Sequence, residues 1–152
     1  KTHVEVALFS TYSKLKATTP VGQQTVKDLV AEVNGDKHKA KCEEIRAEQD
    51  DDVRKALKEQ LPIITVSGLF SKRANVKLLK HSGMIIADVD IKDNARLEDA
   101  DTMAALRKAM YACPHVAFLF TSPSGGLKVG ICIEADDIES HTLASARAGN
   151  PG

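Results

Sequence analysis

The second half of the chain alternates short apolar segments with one longer amphipathic segment, and this order restricts the folds it can form. Residues 84–90 (MIIADVD), 115–122 (HVAFLFTS) and 127–134 (LKVGICIE) are predicted strands, the last with apolar side chains at every second position. Residues 97–112 have apolar side chains at helical spacing, and PSGG at 123–126 is typical of a turn. The predicted order of the second half is therefore β-α-β-turn-β.

The first half contributes strands and helices of its own. Residues 4–9 (VEVALF) have strand character, and residues 22–33 place apolar side chains at helical spacing. Residues 36–60 are highly charged around a thin apolar stripe, and they form either one long helix or two helices broken at the aspartates 50–52. Residues 63–70 are rich in β-branched side chains. Together the two halves predict an α+β fold in which helices pack on one face of a mixed β-sheet.

Length and composition favour one folded domain. With 152 residues, 43% hydrophobic and 28% charged, the chain can build a single core, so we expect one domain at 1–143 and a flexible tail or linker at 144–152. The apolar runs are far shorter than the ~20 residues that cross a bilayer, which predicts no membrane partner. Three cysteines without a CxxC pair predict reduced thiols and a cytoplasmic protein.

The charge of the chain is balanced, so a nucleic-acid partner would need a local basic patch. Lysine plus arginine and aspartate plus glutamate both number 21. The one local cluster of basic residues is at 71–83, where Lys72 and Arg73 either add positive charge to a site or a nucleic-acid track or lie on a solvated loop. Arg46 is predicted to be a surface residue of its helix. The histidines show no metal-ligand spacing, which argues against zinc.

Two carboxylates end the strand at 84–90. Asp88 and Asp90 are two residues apart, so on a strand their side chains leave the same face with Cα atoms roughly 6.5 Å apart. Such a pair can bracket a divalent cation, and magnesium is commonly bound by one or two carboxylates together with water and substrate phosphates. The alternative is that the strand simply emerges into water and ends in a polar turn.

The sequence TSPSGGLKVGI at 121–131 supplies a second candidate feature. At minimum it is a hairpin turn in which a glycine adopts positive φ. It could also bind an anion, because backbone amides near Gly125 and Gly126 and the hydroxyls of Ser122 and Ser124 can surround a phosphate that Lys128 neutralises. It is not a P-loop, since the GxxxxGK[ST] spacing is absent and a strand follows.

Topology predicts that these two features meet. A helix that joins two strands normally makes them parallel and near neighbours. If residues 84–90 and 115–122 are parallel, then Asp88, Asp90 and the turn at 122–126 converge at the same carboxyl edge of the sheet. Ligands of open α/β sheets bind at that edge.

The combination of these motifs resembles the archaeo-eukaryotic primase superfamily, including the primase-polymerases of phages and plasmids. An apolar strand ending Asp-x-Asp, a helix, a strand and a Ser-x-Ser-Gly-Gly-x-basic turn carry this resemblance. More narrowly, residues 43–93, from EEIRAEQ to GMIIADVDIKD, are similar to the VirE amino-terminal-like domain at the front of replication proteins in bacterial mobile elements. The resemblance spans about residues 40 to 133.

The resemblance implies an RRM-like catalytic fold, with Asp88 and Asp90 as catalytic and metal-binding residues for Mg²⁺ or Mn²⁺. It implies that Ser124 to Lys128 contact the phosphates of the incoming nucleotide, at a motif whose basic residue is usually histidine in active primases. A third acidic residue normally follows on a later strand, and the acidic residues at 134–137 are early for that position.

Three functional hypotheses follow. The leading one is an N-terminal primase or primase-polymerase domain that binds nucleoside triphosphates and single-stranded template or primer DNA, with Arg73 assisting at the phosphates or following the template. A helicase-type ATPase domain in the same protein is an expected neighbour. The second is a catalytically inactive nucleic-acid- or partner-binding relative. The third, a different DxD phosphotransfer enzyme such as a phosphatase, lacks the expected nucleophile motif.

Overall fold

Three small antiparallel sheets and four α-helices make up residues 7–133, the part of the chain that the computed structural model describes. The strands are β1 (Phe9–Tyr12), β2 (Gly22–Gln24), β3 (Ile63–Thr65), β4 (Gly68–Phe70), β5 (Leu78–His81), β6 (Met84–Val89), β7 (Val116–Thr121) and β8 (Leu127–Cys132). The α-helices are α1 (Val26–Asn34), α2 (Lys39–Ala47), α3 (Asp51–Glu59) and α4 (Ala100–Ala112), with 3₁₀ turns at Asn75–Lys77, Ile91–Asp93 and Ala95–Glu98. The predicted α+β class is confirmed.

The second half has the predicted order, with β6, α4, β7, a turn and β8. Strand β8 lies between β6 and β7 and pairs antiparallel with both. Strands β6 and β7 therefore run in the same direction, as predicted, but they are separated by one strand. The tight turn makes β7 and β8 a hairpin, and the free edge of β8 is then available to β6. The prediction of a mixed sheet is corrected accordingly, because the strand pairs of residues 7–133 are antiparallel.

Helices cover both faces of this sheet, rather than the one face predicted. Residues directly opposite in register share a face, so Met84 lies on the same face as Phe118, and both join a buried cluster with Leu29 of α1. On the other face, Arg107 of α4 donates a hydrogen bond from Nη1 to Thr121 Oγ1 at 3.1 Å. Side chains alternate between the two faces of the sheet, so α1 packs on one face and α4 on the other.

The core joins the sheets through the first strand. Phe9 and Tyr12 of β1 are fully buried, and Phe9 belongs to the same cluster as Met84 of β6. Strand β1 is also fixed to β4, because the buried Ser10 Oγ accepts a hydrogen bond from the Phe70 amide at 2.9 Å. The sheet that carries the two candidate features is therefore packed against the first half of the chain.

The charged segment 36–60 forms two helices, which decides between the two predicted alternatives. Helix α2 ends before Glu48, and Asp50 caps α3. Asp50 Oδ1 accepts hydrogen bonds from the amides of Asp52 at 2.9 Å and Val53 at 3.0 Å. Ile45 of α2 is fully buried, whereas α3 has no buried residue.

No helix within residues 7–133 is both long and apolar enough to cross a membrane. The tail predicted at 144–152 and the first residues of the strand predicted at 4–9 lie outside the described part of the chain.

Glu32 on α1 is held by three side chains that lower its pKa. Its Oε1 lies 2.6 Å from His38 Nε2 and 3.2 Å from Lys37 Nζ, and its other oxygen accepts from Gln24. The hydrogen bond to His38 and then those to Gln24 and Lys37 lower the pKa of Glu32 from 4.5 to about 2, against the opposing effect of burial. Because the folded-state pKa is the lower one, this stabilisation is complete above pH 4.5 and is lost as the pH falls toward 2.

Replacing this carboxylate by its amide tests that linkage. We expect Glu32→Gln to lower the free energy of unfolding at pH 7 by at most about 3 kcal/mol and to flatten its decline between pH 4.5 and 2. Urea denaturation at a series of pH values measures both effects. Glu44→Gln is the matched control, since the Glu44 carboxylate is 53% exposed in its ion pair with Lys41. Equal pH profiles for the two variants would contradict the assignment.

Candidate functional site

The two aspartates lie at the end of β6 and on one face. Asp88 is in the strand, and Asp90 follows it with extended backbone angles, φ −91° and ψ 133°. The alternation of the strand therefore continues to Asp90, as the sequence predicted. The chain then turns away, because the carbonyl of Asp90 accepts a hydrogen bond from Asn94 Nδ2 at 3.0 Å and begins a 3₁₀ turn. The Asp88 side chain is 54% exposed, so it is available to a ligand.

The turn between β7 and β8 is a tight hairpin connection. The amide of Gly125 donates to the carbonyl of Ser122 at 2.9 Å, and the amide of Ser122 donates to the carbonyl of Gly126 at 2.8 Å. Gly125 has φ +96°, which supplies the left-handed residue that this turn requires. The predicted hairpin turn is confirmed, and proline at 123 fits the position after Ser122.

The turn packs directly against the end of β6. A Cβ atom placed on Gly126 would lie 2.2 Å from the carbonyl oxygen of Val89 and 3.4 Å from the Cα of Asp90. Only a residue without a side chain can approach the strand this closely. The predicted convergence of the turn with Asp88 and Asp90 at one edge of the sheet is therefore confirmed.

Lys128 pairs with Asp88 across the two strands. The residues are directly opposite in register, and Lys128 Nζ lies 2.6 Å from Asp88 Oδ1. The Lys128 side chain is 34% exposed, so this ion pair stabilises the fold little. Its main consequence is local, because an ammonium group occupies one side of the Asp88 carboxylate.

Ser122 and Arg46 extend the site toward α2. Ser122 is buried, and its Oγ has no hydrogen-bond partner among residues 7–133. Its carbonyl accepts a hydrogen bond from Arg46 Nη2 at 3.0 Å. Arg46 follows the fully buried Ile45, which anchors the end of α2 against the core. A buried hydroxyl without a partner and an arginine at the same turn are features that suit an anionic ligand.

The contact of Arg46 with the turn was not predicted from the sequence. The residue is solvent-exposed, as predicted, but its guanidinium group is directed to the turn. The contact joins residues 76 positions apart, so no local pattern around Arg46 contains it. A basic residue directly after the most buried position of an amphipathic helix is the only sequence signal that points in this direction.

Arg73 is held in a different set of contacts. Its amide donates to the carbonyl of Thr18 at 2.8 Å, and its guanidinium group donates to the carbonyl of Leu15. Arg73 and its basic neighbours Lys72, Lys77 and Lys80 are exposed. These contacts fix Arg73 to the loop after β1, whereas Arg46 is the arginine that reaches the turn after β7.

Within the described part of the chain, Asp88 and Asp90 are the two candidate ligands for a metal ion. Residues 7–133 contain no group of three or more histidine, cysteine, aspartate or glutamate side chains placed to hold a metal ion. The acidic residues at 134–137 lie outside the described residues. Asp88 and Asp90 lie on one face and could hold a divalent ion, which would take its remaining ligands from water and substrate and would compete with Lys128 for Asp88.

Comparison with protein-family models matches residues 56–148 to a family described as "BT4734-like, N-terminal domain". Searches of curated proteins and of solved structures returned no match. The matched segment contains Asp88, Asp90 and the turn at 122–126, and it begins after Arg46. It covers more than half of the chain, and the chain therefore belongs to the BT4734-like N-terminal domain family.

Proposed function

We propose that this chain is the N-terminal primase or primase-polymerase domain of a replication protein from a mobile element or phage, carrying out metal-dependent nucleotidyl transfer on a DNA template. The observation that supports the proposal is the packing of the glycine turn on the end of β6, where Gly126 leaves no room for a Cβ next to Val89. It brings two carboxylates and a candidate phosphate-binding turn to one edge of the sheet, the two elements that nucleotidyl transfer requires.

Each residue of the site has a proposed role. Asp88 and Asp90 would hold Mg²⁺ or Mn²⁺, which, when bound, activates a 3′-hydroxyl and offsets the charge of the triphosphate. The backbone of the turn 122–126, with the hydroxyls of Ser122 and Ser124, would hold the phosphates. Lys128 would neutralise them.

Two arginines complete the proposed surface for anions. Arg46 has one donor on the carbonyl of Ser122 and further donors for an anion at the turn, so it would assist at the phosphates, which is one of the two roles expected for Arg73. Arg73 and the exposed lysines near it would contact template or primer DNA as a positively charged track. A helicase-type ATPase in the same protein would supply the separated template strands.

The proposal is tested at the two aspartates. We expect Asp88→Asn and Asp90→Asn each to weaken Mn²⁺ binding and primer synthesis by at least about tenfold. Each substitution removes a proposed direct metal ligand, and the loss of a residue that only supports a ligand already lowers metal affinity by about tenfold or more. Calorimetric titration with Mn²⁺, followed by primer synthesis with dNTPs and NTPs on single-stranded DNA, measures the two effects.

The matched control is Asp101→Asn, which removes an exposed carboxylate from α4, on the helix that covers the opposite face of the sheet. It should leave Mn²⁺ binding and synthesis unchanged. Unchanged activity in the Asp88 and Asp90 variants, with folding intact by circular dichroism, would sink the proposal.

A second candidate function is a non-catalytic domain that binds nucleic acid or a protein partner while a neighbouring domain does the chemistry. The ammonium of Lys128 next to Asp88, together with a metal-ligand set of two carboxylates within residues 7–133, favours this function. It predicts single-stranded DNA binding that is independent of Mn²⁺ and is retained in Asp88→Asn. Metal-dependent synthesis by the full-length protein would exclude it.

A further inference from the structure

The ion pair between Lys128 and Asp88 gives the site an internal cation. The two residues are opposite in the register of β6 and β8, so the backbone fixes their separation, and the lysine needs no rearrangement to reach the carboxylate. Nζ lies 2.6 Å from Oδ1, which is the distance of a direct charge-assisted hydrogen bond. This oxygen is one that a metal held by Asp88 and Asp90 would use.

An ammonium group and a divalent cation compete for the same carboxylate. Two positive groups in contact with one oxygen repel each other, and their repulsion is weakly screened at so short a distance. The pair is partly exposed on both sides, so it is weak enough to be opened by a ligand. The four-carbon stem of lysine is flexible and can carry the ammonium to a new partner while the backbone of β8 stays in place.

The turn at 122–126, where an anion could bind, lies close to Asp88. Lys128 is two residues after Gly126, whose backbone touches the end of β6, and the turn holds the buried hydroxyl of Ser122 without a partner among residues 7–133. An anion bound at this turn would therefore lie near Lys128. An ammonium released from Asp88 can therefore be used by that anion.

We propose that Lys128 is the resting counter-ion of Asp88 and that binding of a divalent cation transfers its ammonium group to the phosphate of the bound nucleotide. This inference rests on the proposed metal site at Asp88 and Asp90. The exchange makes binding of the two ligands cooperative. The cation releases Lys128 for the nucleotide, and a bound nucleotide holds Lys128 away from the carboxylate that the cation needs. By thermodynamic linkage each ligand then raises the affinity of the other by the same factor.

Removal of the lysine should have opposite effects on the two ligands. In Lys128→Met we expect Mn²⁺ alone to bind about two- to fivefold more tightly, the factor that corresponds to an exposed ion pair, since the competitor is gone. The affinity for dATP in the presence of Mn²⁺ should fall. The increase in dATP affinity that Mn²⁺ produces should be smaller than in the natural protein. Calorimetric titrations with Mn²⁺, with dATP and with both measure the three quantities.

Lys92→Met is the matched control. Lys92 is an exposed lysine two residues after Asp90, so the substitution removes the same charge from the same neighbourhood without opening the pair at Asp88. Lys92→Met should neither raise the affinity for Mn²⁺ nor lower the affinity for dATP, in contrast to Lys128→Met. Thermal unfolding of both variants shows whether each remains folded, which we expect because both side chains reach the surface.

The outcomes separate this inference from the proposed function. Tighter Mn²⁺ binding in Lys128→Met but not in Lys92→Met supports the exchange. Unchanged or weaker Mn²⁺ binding in Lys128→Met overturns it while leaving the metal site intact, and equal tightening in both variants overturns it in favour of a general charge effect. If neither the natural protein nor Lys128→Met binds Mn²⁺, the metal site itself is wrong, and the exchange is overturned with it.

Discussion

Replacing Gly126 by alanine will separate the turn from β6 and disable the candidate site, although none of the side chains proposed to bind ligands is changed. The added Cβ would lie 2.2 Å from the carbonyl oxygen of Val89 and 3.3 Å from its carbonyl carbon. Both are backbone atoms of a paired strand, so neither can rotate away as a side chain would. The substitution must therefore move the turn or break the pairing of Val89 with Leu127.

We expect Gly126→Ala to lower the free energy of unfolding by about 3 kcal/mol, the upper end of the usual cost of overpacking. The ligand affinities should fall more than stability alone explains, because Lys128 and Asp88 are held opposite each other by the same strand pairing. Urea denaturation and Mn²⁺ titration of the folded variant measure the two effects.

Gly125→Ala is the matched control at the neighbouring position. Space around Gly125 is open, since its added Cβ would meet only the Cδ1 of Ile91 at 3.9 Å, so the cost is that of a positive φ alone. That cost is roughly 1–2 kcal/mol. If Gly126→Ala proved as stable as the natural protein, or less damaging than Gly125→Ala, the close packing of the turn on β6 would be wrong.

Truncation of Phe9 will have the largest effect expected in the core. The ring is fully buried and belongs to the cluster that contains Leu29 of α1, Met84 of β6 and Phe118 of β7. Its loss leaves a cavity between the first sheet and the sheet that carries the site. We expect Phe9→Ala to lower the free energy of unfolding by about 3–5 kcal/mol, a large part of the 5–15 kcal/mol that holds a typical domain.

Denaturation in urea, followed by circular dichroism, measures this loss. Tyr111→Ala is the control for removing an aromatic ring, because Tyr111 is 70% exposed and should cost within about 0.5 kcal/mol. Phe9→Leu keeps most of the buried volume and should fall between the two. A loss below about 1 kcal/mol in Phe9→Ala would mean that β1 does not anchor the site-bearing sheet.

Local patterns in the sequence predicted the elements of the second half well. The order of strand, helix, strand, turn and strand is as predicted, and so is a hairpin turn with a glycine at positive φ, which is Gly125. In the first half, the break of the charged segment before Asp51 is one of the two predicted alternatives. Each of these depends on interactions within a few residues, such as the cap that Asp50 gives to α3. Such interactions are present in the local sequence itself.

Strand neighbours and helix positions were predicted less well. The position of β8 between β6 and β7 arises because a strand has two edges, and the hairpin uses only one of them. The distribution of α1 and α4 over opposite faces depends on which side chains of β6 and β7 pack with which helix. Phe118 shares a buried cluster with Leu29 of α1, and Thr121 accepts a hydrogen bond from Arg107 of α4. The RRM-like fold and the primase-type function remain predictions.

The sequence by itself determined that two carboxylates leave one face of a strand end and that a glycine turn follows the next strand in the chain. Both follow from the alternation of side chains along an extended backbone and from the freedom of glycine. Only the tertiary structure decided that Lys128 stands opposite Asp88 and that Arg46 reaches the carbonyl of Ser122. These contacts join residues 40 and 76 positions apart, and such pairs are set by strand register and helix packing, which depend on the whole core rather than on any local segment.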